Sequence, residues 1–374
     1  MKRISLLMMS AILLLLCACN SKSTTFTING EIPLSEFEGR PVYLATIDNG
    51  DTIDSAIVQN GQFQFGGTLE KNMMGRIFTI APNYGMSYAS TVVLESGKIY
   101  VNLVTDSLSG TPLNDYFFKT YVCDQEAVRL RSKMDSSINQ YYETEDPQQQ
   151  AAFAASYDSA SDAYVARLLA ISRKSFKVNG KNILGAYALS QIVENNGISF
   201  DSLDYLMSHA EPVVADYKPL RYQRTHLFHL QNTAEGKHYV DIAGVDFATS
   251  QMSKLSAMID TNKITLVDFW ASWCHPCRQE ISQNLNRLYE EYKDKGLNII
   301  GVDVWDKTAD HKAAVENLGI QYPQLVDTTR NATEEYGIDG IPTIMLLDKD
   351  GTIVRRGIRG EEIEAAILNL LNKE

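Results

Sequence analysis

Along the first part of the chain, apolar and polar residues alternate. The side chains change character at every second position in Phe26-Thr27-Ile28-Asn29-Gly30, in Val42-Tyr43-Leu44-Ala45-Thr46-Ile47 and in Gln62-Phe63-Gln64-Phe65. That period is the signature of a half-buried strand. Asp48-Asn49-Gly50-Asp51 and Asn60-Gly61 lie between the runs and accept positive φ, as hairpin turns require. Short strands and frequent turns from Phe26 to about Leu108 predict a small all-β domain, a sandwich or barrel, within residues 20–112. It shows no catalytic constellation. It reads as a structural module, or one that binds a partner or a second copy of the chain.

Beyond Pro112 the period lengthens. In Gln148 to Lys174 the apolar positions Phe153, Tyr157, Ala160, Tyr164, Leu168 and Ile171 recur at helical spacing, and Ile183 to Val193 and Leu203 to Met207 continue the pattern. Pro147, Pro212 and Pro219 are natural breaks. A helical region over 113–235 is expected. Cys123, beside Tyr121 and Val122, is expected to be a small buried hydrophobe. His226 and His229 stand at i, i+3 like a metal pair, but no acidic or Cys ligand near them in sequence completes a site. They read as surface or packing histidines.

From Gly236 onward strands and helices alternate. Ile264-Thr265-Leu266-Val267-Asp268-Phe269-Trp270 is a buried strand with one acid in it, and Cys277 to Lys295 is a helix with Ile281, Leu285, Leu288, Tyr289 and Tyr292 on its apolar face. Leu297 to Val304 is a second apolar strand, followed by a short helix over His311 to Leu318 that Gly319 ends. Ile344 to Leu347 and Thr352 to Val354 flank the turn Asp348-Lys349-Asp350-Gly351, which lacks the acids of a calcium loop, and Glu361 to Leu371 is a closing helix. The fold class is α/β over residues 236–374.

The chain has 374 residues, 44% of them hydrophobic and 21% charged, which suits two or three folded domains at roughly 150 residues each. A net charge of −12 repels phosphate backbones, so nucleic acid is not an expected partner. At the N-terminus Met1-Lys2-Arg3 precedes an almost wholly apolar Ile4 to Leu16. That run is too short for a membrane-spanning helix, which needs about 20 residues, and has the form of a signal peptide over 1–19. It ends in Leu16-Cys17-Ala18-Cys19, which looks like a bacterial lipobox with Cys19 as the lipidation site. Several acyl chains at about 0.8 kcal/mol per buried CH₂ anchor firmly. The resemblance implies a cell-envelope protein facing the periplasm. Asn20 in place of the inner-membrane Asp favours the outer membrane.

The remaining chemistry is in Trp273-Cys274-His275-Pro276-Cys277. A structural zinc site usually needs two Cys-x-x-Cys pairs, and this chain has one, so no metal or cofactor is expected. Between a strand and a helix start, Cys274 falls where free N–H groups and the positive end of the dipole favour a thiolate. Cys277 stands one turn on, within disulfide reach. Pro276 suits the first helical turn. Such a pair attacks a disulfide with one sulfur and resolves the mixed disulfide with the other.

Val267-Asp268-Phe269-Trp270-Ala271-Ser272-Trp273-Cys274-x-Pro276-Cys277 resembles the thioredoxin active-site stretch, and Gly340-Ile341-Pro342-Thr343 matches that family's cis-proline loop. The resemblance implies a thioredoxin-like fold, a cis Ile341–Pro342 bond facing the cysteines, and substrate contacts from Trp273, His275, Pro276, Ile341 and Pro342. Glu280, three residues after Cys277, and the helix over Asp310 to Gly319 resemble the envelope branch, the TlpA/ResA-like thioredoxins, in a Bacteroidetes-type subgroup with long N-terminal extensions. Asp268 departs from many envelope members, which carry an apolar residue there. Its burial raises its pKa, and it can take the proton from Cys277, a task that Glu280 can share. The implied function is reduction of disulfides in envelope proteins, with a membrane thiol-electron donor restoring the dithiol. Two other classes are considered. A thiol peroxidase of the AhpC/TSA kind places Pro and Thr shortly before its cysteine, where this chain has Trp270-Ala271-Ser272-Trp273. A non-enzymatic binding module would leave Cys274, Cys277 and Pro342 without purpose.

Overall fold

The computed structural model describes residues 24–80 and 88–372. The expected leader over 1–19 and its lipidation candidate Cys19 lie outside the described residues, within which no helix is long and apolar enough to cross a membrane. The chain divides into two compact units. One runs through Asn195 and includes Glu211–Tyr217; the other comprises Asn196–Ala210 and Lys218 onward.

In the first unit, eight strands form two four-stranded sheets. The strands are β1 (Thr24–Glu31), β2 (Pro41–Thr46), β3 (Thr52–Ile57), β4 (Gln62–Leu69), β5 (Met73–Thr79), β6 (Tyr88–Leu94), β7 (Gly97–Asn102) and β8 (Ser107–Ser109). The sheet orders are β4-β1-β7-β8 and β3-β2-β5-β6, so the described strands build two open sheets and no closed barrel. The alternation read from sequence is the cause: β4 buries Phe63 and Phe65 and exposes Gln62 and Gln64. Helices follow: α1 (Pro112–Phe117), α2 (Gln125–Glu143), α3 (Pro147–Asn179) and α4 (Ile183–Glu194). Asp124, Asp146 and Asn182 cap α2, α3 and α4 by accepting from Ala127, Gln148 and Leu184 N–H groups. The Arg167 guanidinium binds Asp124 and holds its carboxyl below the usual range.

One expectation for the helical region is corrected. Cys123 is exposed, not buried. It ends a π-helical turn over Phe118–Val122 and stands just before the cap of α2, where the chain changes direction at the surface. The helices of the span 113–235 are divided between the two units. Beyond α4, α5 (Phe200–Ser208) and α7 (Lys218–Asn232) belong to the second unit, while the single turn α6 (Pro212–Ala215) belongs to the first. At the end of α7, Thr233 is buried, its hydroxyl donates to Tyr336 O at 3.2 Å, and Arg356 donates to that hydroxyl at 2.8 Å.

The rest of the second unit is a seven-stranded mixed sheet flanked by helices. Its elements are β9 (Ala243–Asp246), β10 (Gln251–Lys254), β11 (Ile264–Trp270), α8 (His275–Glu280), α9 (Asn286–Tyr292), β12 (Leu297–Asp303), α10 (Thr308–Leu318), β13 (Gln324–Val326), α11 (Asn331–Glu335), β14 (Thr343–Leu347), β15 (Ile353–Arg356) and α12 (Glu361–Leu371). The strand order is β10-β9-β13-β12-β11-β14-β15. β11 lies near its centre, parallel to β12 and antiparallel to β14, and is buried at every position. That burial explains why β11 reads as a continuous apolar run instead of an alternating one. Each face of the sheet has its own core. Ile264, Leu266 and Trp270 of β11 pack on one side with Cys274, Cys277 and Ile281, and Val267 and Phe269 pack on the other with Tyr336 and Met345. Each fully buried side chain of this kind contributes about 1.5–3 kcal/mol. The arrangement is a thioredoxin-like fold, and it delivers the end of β11 to the start of α8.

Candidate active site

The cysteine pair sits where β11 gives way to α8. Cys274 is the N-cap residue of α8, and its Sγ accepts a hydrogen bond from the Cys277 N–H at 3.2 Å. Pro276 occupies the first turn, where its missing N–H costs nothing. The helix continues through a π turn over Ile281–Leu285 into α9, so one nearly continuous dipole points its positive end at Cys274. Cys274 and Cys277 are joined as a disulfide with Cα atoms 5.3 Å apart. Cys277 is fully buried and Cys274 nearly so, while His275, Pro276 and Trp273 are exposed. The Ile341–Pro342 bond is cis, and the Ile341 carbonyl oxygen lies 3.7 Å from Cys274 Sγ. Pro342 is buried and Ile341 half-buried. The loop therefore presents backbone beside the outer sulfur.

The segment leading to Cys274 is tied down from β12 and the loop after it. The Ser272 N–H and hydroxyl donate to the Asp306 carboxylate at 2.6 and 3.0 Å. Trp273 Nε1 donates to the Trp305 carbonyl at 3.3 Å, and Trp305 holds a left-handed φ of 58°. Trp270 Nε1 donates to Gln324 Oε1 at 3.0 Å. Gly301 makes that bond possible, because a Cβ there would stand 2.3 Å from the Gln324 amide. Sequence reasoning did not identify Ser272, Trp305, Asp306 or Gln324. Register could have found them: parallel pairing sets Trp270 opposite Asp303, so the residues after each strand end come side by side, the usual place for function in such sheets.

Asp268 has the parity of Leu266 and Trp270, so it faces the core that contains Cys277. It is fully buried, and neither carboxylate oxygen has a hydrogen-bond partner. Burial pushes its carboxyl up to about 8; Arg359 pulls it down, and Glu280 pushes it further up. A group held there exchanges protons near neutral pH. Glu280 is half-buried, accepting from Asn284 Nδ2 at 2.6 Å and from the Gly360 N–H at 3.2 Å. The fold thus gathers Cys274, Cys277, Asp268, Glu280, Ile341 and Pro342 with the exposed rim of Trp273, His275 and Pro276. His226 and His229 line a separate pocket with Trp305, Ile338 and Asp339. Each takes its own acid, Asp339 at 3.0 Å and Glu335 at 3.6 Å, partners too distant in sequence to be read beforehand. Asp348 to Gly351 is a hairpin turn, with the Asp348 N–H on Thr352 O.

Residues 236–356 match the AhpC/TSA family, and residues 26–117 match a domain of unknown function, DUF4369. The thiol-disulfide oxidoreductase ResA of Bacillus thuringiensis (strain Al Hakam) is 34% identical over 111 residues, which are 30% of this chain and 63% of that protein. ResA of Bacillus subtilis (strain 168) is 27% identical over 110 residues, covering 29% of this chain and 60% of that protein. The chain thus spans about three fifths of these relatives. Among solved structures, the thioredoxin domain of a thiol-disulfide oxidoreductase from Bacteroides vulgatus is 32% identical. The match covers 37% of this chain and 99% of that one, at a TM-score of 0.35. A thiol:disulfide interchange protein from Bacteroides sp. is 30% identical, over 38% of this chain and 92% of that one, at a TM-score of 0.35. Residues 236–356 are thus similar to the AhpC/TSA family, and the curated relatives that this part of the chain matches are thiol-disulfide oxidoreductases named ResA.

Proposed function

We propose that this chain is a lipid-anchored thiol-disulfide oxidoreductase of the cell envelope that reduces disulfides in envelope proteins. The observation that carries the proposal is the position of Cys274, at a helix N-terminus and beside the backbone of the cis-proline loop. In the dithiol form, the Cys274 thiolate attacks a substrate disulfide, forming a mixed disulfide and expelling one substrate thiolate. Ile341 offers its carbonyl to an extended substrate segment, and Trp273, His275 and Pro276 form the exposed rim that meets it. Cys277 then loses its proton to Asp268, with Glu280 as a second acceptor, and attacks Cys274 Sγ. The second substrate thiolate leaves, and the Cys274–Cys277 disulfide remains. A membrane thiol-electron donor returns two electrons and two protons. The peroxidase alternative is not taken up, because Trp270-Ala271-Ser272-Trp273 stands where a peroxide pocket needs Pro and Thr.

The anchoring part of the proposal rests on residues 1–19 and Cys19, with Asn20 favouring the outer membrane and the body facing the periplasm. Cys19→Ser is expected to abolish labelling by a radioactive fatty acid; retained labelling contradicts the anchor. For the chemistry, Cys277→Ser expressed in the envelope is expected to accumulate mixed disulfides with envelope proteins through Cys274. No such adducts, together with unaltered turnover of a soluble disulfide such as insulin, would refute the assignment.

A further inference from the structure

Three side chains that the thiol chemistry does not use meet at the end of β12. Asp303 closes the strand, Asp306 lies in the loop after it, and His311 stands in the first turn of α10. One ligand atom from each lies within 4.8 Å of the other two. Asp303 and His311 are buried, and Asp306 is half-buried. His311 Nδ1 faces Asp303 Oδ1 at 3.4 Å, yet neither atom makes a hydrogen bond, and His311 Nε2 makes none either. The imidazole lies between the Trp270 and Phe247 rings, at 5.2 and 5.1 Å between centroids. A polar atom buried without a partner costs about 1–3 kcal/mol, and an imidazole with Nε2 unpartnered and Nδ1 held only by the long pairing with Asp303 needs a reason. A cation bound to the imidazole and the carboxylate together supplies one. The Asp306 oxygens accept from the Ser272 N–H and hydroxyl and from the Lys307 N–H, which fixes the third carboxylate in orientation.

We propose that Asp303, Asp306 and His311 form a binding site for one divalent transition-metal ion, of which Zn²⁺ suits the donors best. One imidazole nitrogen and two carboxylate oxygens form a borderline set. Three protein ligands leave one position for water in a tetrahedral shell, whereas Ca²⁺ would need six to eight oxygens. Soft Cu⁺ would prefer sulfur. The ion would tie β12, its loop and α10 together. Through Asp306 it would steady Ser272, two residues before Cys274.

The test uses the full chain carrying Cys123→Ser, with Cys274 and Cys277 oxidised, so that neither the exposed thiol nor the redox pair takes metal. Zn²⁺ is titrated against a chromophoric chelator, and Co²⁺ is followed by its visible absorption and by quenching of tryptophan fluorescence, since Trp270 adjoins His311. One Zn²⁺ per chain is expected, with affinity at least roughly tenfold weaker in Asp303→Asn and in His311→Gln. Adding Cys274→Ser and Cys277→Ser should leave binding like that of this oxidised parent. If His311→Gln does not fold, as judged by circular dichroism, Asp306→Asn takes its place beside Asp303→Asn. Failure of the oxidised parent to take up Zn²⁺, or equal affinity in the parent and the folded variants, overturns the proposal; the second result would locate uptake elsewhere, such as at His226 and His229.

Discussion

Two cysteines stand next to similar stretches of helix, and only one has the setting of a reactive thiol. Cys123 follows the π-helical turn Phe118–Val122, and its N–H closes that turn by donating to Phe118 O at 2.9 Å. Its sulfur is thus at the carbonyl end of the helix that begins at Pro112. Cys274 stands at the opposite end of its own helix, where the free N–H groups are, and accepts one of them. Dipole and hydrogen bonding favour a thiolate at a helix N-cap, the position that Cys274 holds. Cys123 is the more accessible sulfur, but among the described residues no second sulfur is bonded to it. Cys274 is nearly buried, with Cys277 one turn on and Asp268 behind the helix. Accessibility therefore does not identify the working thiol; the end of the helix and the company of a second sulfur do.

The strongest way to break this comparison is to remove Cys274. Cys274→Ser should reduce disulfide turnover to background, measured with insulin or a chromogenic disulfide; retained turnover would transfer the chemistry elsewhere. Next comes Asp268→Asn, which should slow the resolving step about a hundredfold or more. In the wild type that rate should climb with pH through about 8 as the carboxyl ionises, and in the variant the climb should vanish. The same carboxyl also affects stability. Burial raises its folded pKa above the unfolded value, so the folded protein binds the extra proton between about 4 and 8 and loses stability as pH rises across that window. Asp268→Asn should therefore melt higher than wild type at pH 8 and show a flatter dependence; a lower melting point at pH 8 would oppose the pKa assignment. Trp270→Phe should cost about 1–3 kcal/mol, because the buried Gln324 loses the indole donor. Thermal unfolding measures that loss. Cys123→Ser should have the smallest effect, with unchanged turnover and stability within about 0.5 kcal/mol; a drop in turnover would make the exposed thiol part of the cycle.

The residues most legible in sequence are those whose pattern is long or whose motif is chemical. The strand Ile264–Trp270 and the helix Glu361–Leu371 have the bounds that their apolar patterns predict. Cys274, Cys277 and Pro342 announce themselves by motif. The bounds of β9 and β10 were not legible because each is only four residues long, and the pairing of β9 with β13, far along the chain, and of β10 with β9 decides their state. The division of the helical span was invisible for a similar reason. Contacts such as Thr233 with Tyr336, far apart in sequence, settle which body a helix joins. Cys123 misled because Tyr121 and Val122 suggest an apolar face, while the π turn carries the next residue out to solvent. The supports around the cysteines, Asp306 on Ser272 and Trp305 on Trp273, depend on the register of two parallel strands, which no local pattern states.

The central claim concerns one sulfur, and alkylation kinetics test it most directly. In fully reduced Cys277→Ser protein, iodoacetamide labelling of Cys274 and Cys123 can be followed residue by residue by mass spectrometry across pH. The account predicts that Cys274, despite its lesser exposure, is modified faster than Cys123 at pH 7 and follows a titration below the free-cysteine value of about 8.5. If Cys274 labels no faster than Cys123 and titrates at or above that value, the helix start does not activate it, and the proposed cycle has no nucleophile.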